Sequence, residues 1–283
     1  MIRFMSFSSG SCGNSYFLAW QPDGCEDGIL SSPSRPSGIL IDAGVSPRRL
    51  KRELGNAGAG FSDISAVLVS HDHMDHMRFL GSYCKRLAFP VYSSAVVADA
   101  LRSHPFTSQF FPSCGRVLEE GEWNRIPLVG SDVVAEVRYF VVPHDATQTV
   151  GFAILIDGHR FVIITDCGRM TSEALEFASK ADTLVIESNY DSEMLRTGPY
   201  TADLKKRICG GCGHMSNDEC AQTLETVWHH GLKNIFLCHL SENNNTPELA
   251  FASASAALDR VGAMEEVKLH TLPRTYPSPF FIL

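Results

Sequence analysis

Short apolar runs separated by polar, glycine-rich stretches recur along the chain, and this pattern predicts many strands interleaved with helices. Residues 2–7 alternate as a half-buried strand does, and a second strand resumes at 16–18 after a tight loop over 8–15. The continuous apolar run 38–41 ends in Asp42, which predicts a buried strand with an acid at its carboxyl end. A helix is expected from about Ser46 to Leu54, before glycine-rich sequence.

The middle of the chain, from about Val133 to Asp166, is rich in strand-forming residues. Asp157-Gly158 is a two-residue hairpin signal between the apolar runs 152–156 and 161–164. These runs are therefore expected to form an antiparallel pair.

Strands and helices alternate on both sides of this middle part. The expected strands are 91–92, 183–186 and 234–238, and the expected helices are 95–102, 174–180 and one that begins near Ser216. Ser216 and Glu219 form a capping box, and Gly231 is the expected stop signal. This arrangement favours two sheets packed together with helices outside.

The chain has 283 residues, 44% of them hydrophobic, which allows one large domain or two small ones. No hinge divides it, so a single domain over 1–283 is expected. Residues 21–38 are rich in proline, glycine, serine and aspartate and predict a long, mobile hairpin tip inserted in that domain.

The composition also bears on cellular location and on the state of the cysteines. No apolar run approaches the roughly 18 residues of a membrane helix, and residues 1–9 lack the apolar core of a secretory signal. A cytoplasmic protein without a membrane partner is expected. Nine cysteines, an odd number in a chain of this length, fit reduced thiols better than a disulfide framework.

The formal net charge of −8 argues mildly against tight binding of an anionic polymer. Two basic clusters temper this argument: 48–52, for which a solvated helix face is the favoured interpretation, and 205–207, just ahead of His214.

Residues 71–76 read His-Asp-His-Met-Asp-His and directly follow the apolar run 66–69. Imidazole suits zinc, iron or manganese, and a carboxylate among histidines favours a divalent ion. An exposed polar turn is the alternative, and three histidines within six residues after a strand make it a poor one. The cluster therefore predicts a metal site.

Three further apolar strands end in a residue of metal-ligand type, namely His144, Asp166 and His239. Taken singly, each is weak evidence, because a lone histidine after a strand is more often structural or exposed. Their occurrence together with the histidine cluster favours one common site at the edge of a sheet.

This order of residues resembles the metallo-β-lactamase superfamily, whose pattern is Asp, then His-x-His-x-Asp-His, then His, Asp and His at successive strand ends. The resemblance covers nearly the whole chain. Five segments are similar to the YycJ/WalJ-type branch: 9–15, 143–146, 187–191, 213–217 and 239–247. The insertion at 21–38 and the sequence Cys209-Gly210-Gly211-Cys212 depart from that branch, although neither touches a ligand position.

The resemblance implies an α/β (α+β) fold, the αββα four-layer sandwich, that holds two divalent ions, Zn²⁺ or Mn²⁺, with iron as a further candidate. The implied ligands are His71, His73 and His144 for one ion, Asp75, His76 and His239 for the other, and Asp166 as the bridge. Asp42 would orient a ligand without binding metal. Ser11, Asn14 and Asn244 are the expected substrate contacts.

Two nearby cations lower the pKa of bound water and stabilise charge on the attacking and leaving oxygens, which favours ester hydrolysis through a hydroxide between the metals. Asp75 is expected to orient or deprotonate the attacking water. The resemblance implies a phosphodiesterase that acts on nucleic acid, with DNA as the favoured partner and attack from a strand end. A small phosphodiester, a carbonyl ester or lactone, and a non-catalytic regulatory protein that binds metal stay open as alternatives.

The segment Gly213-His214-Met215-Ser216 resembles one in the ribonuclease Z-like branch that contacts the substrate phosphate. His214 is therefore expected to contact phosphate or to protonate the leaving group, and its place ahead of a helix N-terminus suits an anion. A local cap or surface role for His214 is the alternative. Another alternative is a small zinc or redox site of Cys209, Cys212, Cys220 and His214.

Overall fold

Two seven-stranded β-sheets form the centre of the computed structural model, which describes residues 1–22, 35–87 and 89–283. The strands of the first sheet are β1 (Ile2–Gly10), β2 (Gly13–Trp20), β3 (Ser37–Ile41), β4 (Ile64–Leu68), β5 (Val91–Ser93), β6 (Gly115–Val117) and β14 (Phe281–Ile282). The strands of the second are β7 (Asn124–Pro127), β8 (Val134–Val142), β9 (Thr149–Ile156), β10 (His159–Ile164), β11 (Thr183–Glu187), β12 (Asn234–Cys238) and β13 (Lys268–Thr271). Their spatial orders are β14-β1-β2-β3-β4-β5-β6 and β13-β12-β11-β10-β9-β8-β7.

Helices cover the outer face of each sheet. The helices that follow strands of the first sheet are α1 (Pro47–Asn56), α2 (Met74–Met77), α3 (Leu80–Leu87), α4 (Ala95–Ser103) and α5 (Phe111–Cys114). Those that follow strands of the second are α6 (Ser172–Ala178), α7 (Ser192–Thr197), α8 (Ala202–Cys209), α9 (Asn217–Val227) and α10 (Pro247–Arg260).

Three apolar clusters separate these layers. One lies between the sheets, where Phe4 of the first sheet packs on Phe161 and Phe236 of the second, with ring centroids 5.2 and 4.9 Å apart. The other two lie between each sheet and its own helices. The layers therefore run helix, sheet, sheet, helix, which confirms the predicted αββα sandwich.

The first strand differs from its prediction. Phe4 faces the second sheet while Met5 and Phe7 face the helices, so β1 is buried on both faces rather than half-buried. The tight loop expected over 8–15 is also wrong. The strand ladder continues to the pair Gly10 and Gly13 and leaves only Ser11 and Cys12 in the turn, because backbone hydrogen bonds of the ladder satisfy residues that a loop would leave unpaired.

Local signals set several boundaries correctly. Asp157 and Gly158 adopt φ values of 50° and 80° in a two-residue turn between the antiparallel strands β9 and β10, which confirms the predicted hairpin. Ser46 caps α1 and Ser216 caps α9, the latter with the predicted capping box. The stop at Gly231 is wrong: α9 ends at Val227, and the side chain of His229 accepts the N–H of Gly231 in a turn after the helix.

The predicted mobile hairpin tip over 21–38 is tested only at its ends. β2 and β3 pair antiparallel from Trp20 and Ser37, so the segment does connect neighbouring strands, and residues 37 and 38 belong to β3. Residues 23–34 lie outside the described residues. Within the described ranges, no helix combines the length and the apolar character needed to cross a membrane, and the eight described cysteines are unpaired.

Candidate metal centre

Strands of both sheets end at one edge of the sandwich and bring together the side chains that the sequence analysis selected as metal ligands. The segment after β4, with helix α2, supplies four of them, and the ends of β8, β10 and β12 supply the others: His71, His73, Asp75, His76, His144, Asp166 and His239. The ligand atoms lie within 4.8 Å of one another in each of three overlapping groups: His71, His73 and His144; His71, His76 and Asp166; Asp75, His76 and His239.

Asp42 fixes the orientation of two of these imidazoles, that of His76 directly and that of His71 through Ser70. It is fully buried at the end of β3, with φ 61°, and accepts hydrogen bonds from the backbone N–H and the hydroxyl of Ser70. Its Oδ2 lies 2.7 Å from Nδ1 of His76. Since an ionised carboxylate only accepts, Nδ1 of His76 carries a proton and its Nε2 is the nitrogen that faces the centre. The Ser70 hydroxyl, 3.0 Å from Nδ1 of His71, extends the same arrangement to His71.

Two other imidazoles are oriented in the same way by other acceptors. Nδ1 of His144 donates to the carbonyl oxygen of Gly213 at 2.7 Å, and Nδ1 of His239 lies 2.9 Å from Oε1 of Glu187. In the neutral form of both rings Nε2 is then the nitrogen without a proton. The ring of His73 has the opposite orientation, because its Nδ1, and not its Nε2, lies 3.3 Å from Nε2 of His144. Such outer hydrogen bonds are typical of metal-binding histidines.

The centre contains three buried polar atoms that have no hydrogen-bond partner among the described residues: Nε2 of His71, Nε2 of His239 and Oδ2 of Asp166. An unpaired buried polar atom costs roughly 1–3 kcal/mol, so three together in one site require an explanation. A bound cation supplies one, because each is a carboxylate oxygen or a nitrogen that has a free lone pair in the neutral ring. A set of imidazoles and carboxylates fits zinc, manganese or iron.

The electrostatics of the centre also call for positive charge. Burial disfavours charge on His239, yet Asp166, Asp75 and Glu187 raise its pKa to about 10. Burial likewise disfavours ionisation of Asp166, yet the neighbouring His239, His76 and His71 hold its pKa well below the usual range. Metal cations bound in the centre would interact favourably with the same carboxylates that stabilise protonated imidazoles when no metal is bound.

Asp166 lies between the two halves of the centre. Its Oδ1 is 3.6 Å from Nε2 of His144, and its Oδ2 is 3.1 Å from Nε2 of His76. One carboxylate therefore reaches the group around His73 and His144 as well as the group around Asp75 and His76.

Glu187 is a site residue that the sequence analysis did not select. It is fully buried at the end of β11, and its Oε1 contacts Nδ1 of His214 at 2.7 Å as well as His239. Its Oε2 accepts the backbone N–H groups of Cys167 and Met215. The signal was present, since the apolar run 184–186 ends in an acid as the run before Asp42 does.

His214 lines an open cleft beside the centre. Its ring centroid is 5.0 Å from that of His144 and 5.2 Å from that of His239, and its side chain is 23% exposed. The cleft, here called the metal cleft, has a volume of about 360 Å³. Residues that line it include Ser11, His73, Asp75, Asn189, His214 and Ser241.

The three expected substrate contacts occupy different places. Ser11 is exposed and lines the metal cleft. Asn14 is buried, and its Nδ2 lies 3.1 Å from Oδ2 of Asp75 and 2.8 Å from Nε2 of His76, so it touches the candidate ligands. Asn244 is buried in the loop after β12, where its carbonyl oxygen accepts the N–H of Asp191.

The cysteines do not form the alternative site. Cys209 and Cys212 are exposed, whereas Cys220 is buried in the core between the second sheet and its helices. In the described part of the chain, no cysteine belongs to a group with converging ligand atoms. His214 instead pairs with Glu187.

The sequence pattern of the beta-lactamase superfamily domain matches residues 38–239, which include the strands and loops of the metal centre. The chain belongs to the metallo-β-lactamase superfamily. Its members are hydrolases, and their fold implies a divalent metal, for which the centre described above is the candidate site.

Relatives within the superfamily match along most of the chain. Exodeoxyribonuclease YycJ of Bacillus anthracis is 30% identical over 98% of this chain and 97% of its own length. Exodeoxyribonuclease WalJ of Streptococcus pneumoniae is 28% identical over 88% of this chain and 85% of its own length. These matches place the chain with the YycJ/WalJ-type branch. The crystal structure of unliganded yeast PDE1 shares the fold, with a TM-score of 0.68 and 13% identity over 100% of both chains.

Proposed function

We propose that this superfamily hydrolase uses two divalent ions to cleave phosphodiester bonds in DNA and that it acts as an exonuclease. The observation that carries the proposal is the convergence of three buried, unpartnered ligand atoms beneath an open polar cleft. DNA as the substrate is supported by the relatives named exodeoxyribonucleases, which match the chain over most of its length.

In this proposal the seven candidate ligands divide between two ions. His71, His73 and His144 would hold one, Asp75, His76 and His239 would hold the other, and Asp166 lies within reach of both groups. When bound, a pair of zinc, manganese or iron ions makes water more acidic and neutralises charge that develops on the phosphate. Asp42, Ser70 and Glu187 keep the imidazoles in the required tautomers.

Two side chains that face the metal cleft are assigned to proton transfer. The carboxylate of Asp75 lines the cleft, where it would orient the attacking water and accept its proton. Glu187 accepts a hydrogen bond from Nδ1–H of His214 and stabilises the imidazolium, whose Nε2–H can donate to a phosphate oxygen or to the leaving oxygen. Asn14 would hold Asp75 in place rather than contact substrate.

The experiment is a substrate panel with the protein loaded with manganese or zinc. It contains bis-nitrophenyl phosphate, end-labelled single- and double-stranded DNA and RNA, and nitrophenyl acetate. We expect release of nucleotides from labelled DNA that stops in Asp75→Ala, and the product ladder gives the polarity. Cleavage of nitrophenyl acetate without phosphodiester cleavage would refute the nuclease and leave the metal centre standing.

A further inference from the structure

Helix α8 forms one wall of the metal cleft, and the core does not hold it there. The cleft is lined by Leu204, Arg207 and Ile208 of this helix and by Tyr200 just before it. No residue of α8 is buried. A helix that stabilises a core buries one apolar face, so the position of α8 over the cleft needs another explanation.

Polar contacts tie α8 to the metal centre. Nε of Arg207 donates to Oδ2 of Asp145, the residue after the candidate ligand His144. Oδ1 of Asp145 in turn lies 3.4 Å from Nε2 of His144. At the end of the helix, the carbonyl oxygen of Ile208 accepts the N–H of His214 at 2.8 Å. The helix therefore has a fixed position relative to both imidazoles.

The ion pair of Arg207 and Asp145 stands between the metal cleft and a second cavity, here called the outer hollow. The outer hollow has a volume of about 430 Å³ and is lined by Asp145, Asp203, Lys206, Arg207, Gly210 and Cys212. Both cavities share Asp145 and Arg207. A chain bound across the metal centre can thus continue past Arg207 into the outer hollow.

Two cations of the outer hollow keep donors available. The side chain of Arg207 is 63% exposed, and among the described residues no hydrogen bond uses its Nη1. Lys206 is exposed and forms no ion pair with another described residue. A guanidinium with free N–H groups next to an ammonium is a suitable receptor for a phosphate.

We propose that Arg207 and Lys206 bind the phosphate adjacent to the scissile one, in the outer hollow. The inference rests on the proposed function and deepens it, because such a second phosphate contact makes a polymer a better substrate than a small phosphodiester. Asp145 and Asp203 also line the hollow, so its four charged side chains sum to zero, and the contact depends on the free N–H donors of Arg207 and Lys206 rather than on net charge.

Lys205 offers a matched control on the same helix. Its Nζ donates to the carbonyl oxygen of Arg196 at 2.8 Å, and it lines neither cavity. Lys205→Gln removes the same charge as Lys206→Gln from the same helix turn, but away from the proposed phosphate. General electrostatic attraction of DNA would affect both variants equally.

The test compares KM and kcat of wild type, Arg207→Gln, Lys206→Gln and Lys205→Gln on a DNA oligonucleotide and on a dinucleotide. Arg207→Gln and Lys206→Gln should each raise the ratio of oligonucleotide KM to dinucleotide KM about tenfold, because one charge-assisted phosphate contact is lost. In Lys206→Gln kcat should change little, whereas the kcat of Arg207→Gln on the dinucleotide measures the separate effect of breaking the ion pair with Asp145. Each should also reduce the salt slope of binding to a phosphorothioate oligonucleotide by about 1. Lys205→Gln should leave the ratio unchanged.

Other outcomes overturn the inference. If Lys205→Gln raised the KM ratio as much as Lys206→Gln does, the effect of Lys206 would be general attraction of DNA by positive charge and not a specific phosphate contact. A fall in kcat on both substrates, with loss of bound metal by elemental analysis, would show that Arg207 acts only through Asp145 on the metal centre. An unchanged KM ratio in Arg207→Gln and Lys206→Gln would refute the second phosphate contact. Failure of the wild type to cleave any DNA would instead refute the proposed function itself.

Discussion

Asp42 satisfies several donors at once in the interior of the protein, although it is not expected to touch a metal. Replacement by asparagine keeps the shape but places an amide where Ser70 and His76 require acceptors. We expect Asp42→Asn to weaken metal binding about 10- to 100-fold, as is usual when such an outer partner is lost. Competition with a chelator measures this affinity. Unchanged affinity would show that His71 and His76 are oriented without Asp42.

His214 and Glu187 have separable roles. His214→Ala should lower phosphodiester turnover by about 10²- to 10⁴-fold, the usual contribution of a positioned acid or base, and leave the metal content intact. Glu187→Gln should also release metal, because Glu187 contacts His239 as well as His214. Turnover and metal content of both variants test this difference. Carbonyl ester cleavage should survive in His214→Ala, and equal loss on both substrates would contradict a phosphate-specific role.

His159 gives a pH-dependent contribution to stability away from the metal centre. Burial lowers its pKa, and its Nε2 lies 3.0 Å from the hydroxyl of Thr183. The unfolded chain therefore binds a proton more readily, so this contribution is present above the unfolded pKa of about 6.5 and declines as the pH falls below it. His159→Gln should make the decline of the unfolding free energy shallower, by at most about 1.4 kcal/mol per pH unit. Identical slopes in urea unfolding would refute this.

At the scale of elements, Gly44 sets the distance between α2 and the first sheet. A Cβ there would lie 1.8 Å from the carbonyl oxygen of Asp75 and 2.5 Å from the backbone nitrogen of Asn14. Gly44→Ala should therefore displace the helix that carries Asp75 and His76, lower the unfolding free energy by about 3 kcal/mol, and weaken metal binding.

Gly55 in α1 is the matched control for that substitution. Its Cβ would meet nothing within 4 Å, so Gly55→Ala should raise the unfolding free energy by about 0.5–1 kcal/mol through helix propensity. Chemical denaturation of both variants measures these changes. Equal effects of the two substitutions would mean that the close approach at Gly44 does not constrain α2.

Local signals in the sequence predict the starts of helices better than they predict helix ends or the burial of strands. Helix starts such as Ser46 and Ser216 were predicted because a capping side chain acts within one turn. The burial of β1 on both faces and the early end of α9 depend on neighbours distant in sequence, which a local pattern does not contain. The cluster 205–207 was recognised as basic, but its place beside Asp145 required the fold.

For the whole molecule, the layer order followed from the alternation of strands and helices together with the family resemblance. The candidate ligands followed from strands that end in histidine or aspartate. Glu187 was not predicted as a site residue, because an acid after a strand indicates a site only when its partners His214 and His239 are known. The burial of Asn14 beside Asp75 and His76 likewise depends on the fold and cannot be read from the sequence.

Metal removal should destabilise the entire sandwich, because the candidate ligands come from both sheets. Free metal at a thousandfold excess over its dissociation constant adds about 4 kcal/mol to the unfolding free energy when only the folded state binds it. Chelation should therefore lower the melting temperature, and readdition of zinc or manganese should restore it. An unchanged melting temperature after verified metal loss would contradict this coupling.

The spread of the candidate ligands along the chain sets the order of events during synthesis. His71 to His76 leave the ribosome well before His239, which comes after β12. Both halves of the centre can therefore exist in one molecule only after β12 has been synthesised. The complete candidate site can consequently take up metal only after that point, and a nascent chain that stops before β12 would carry an incomplete chelator.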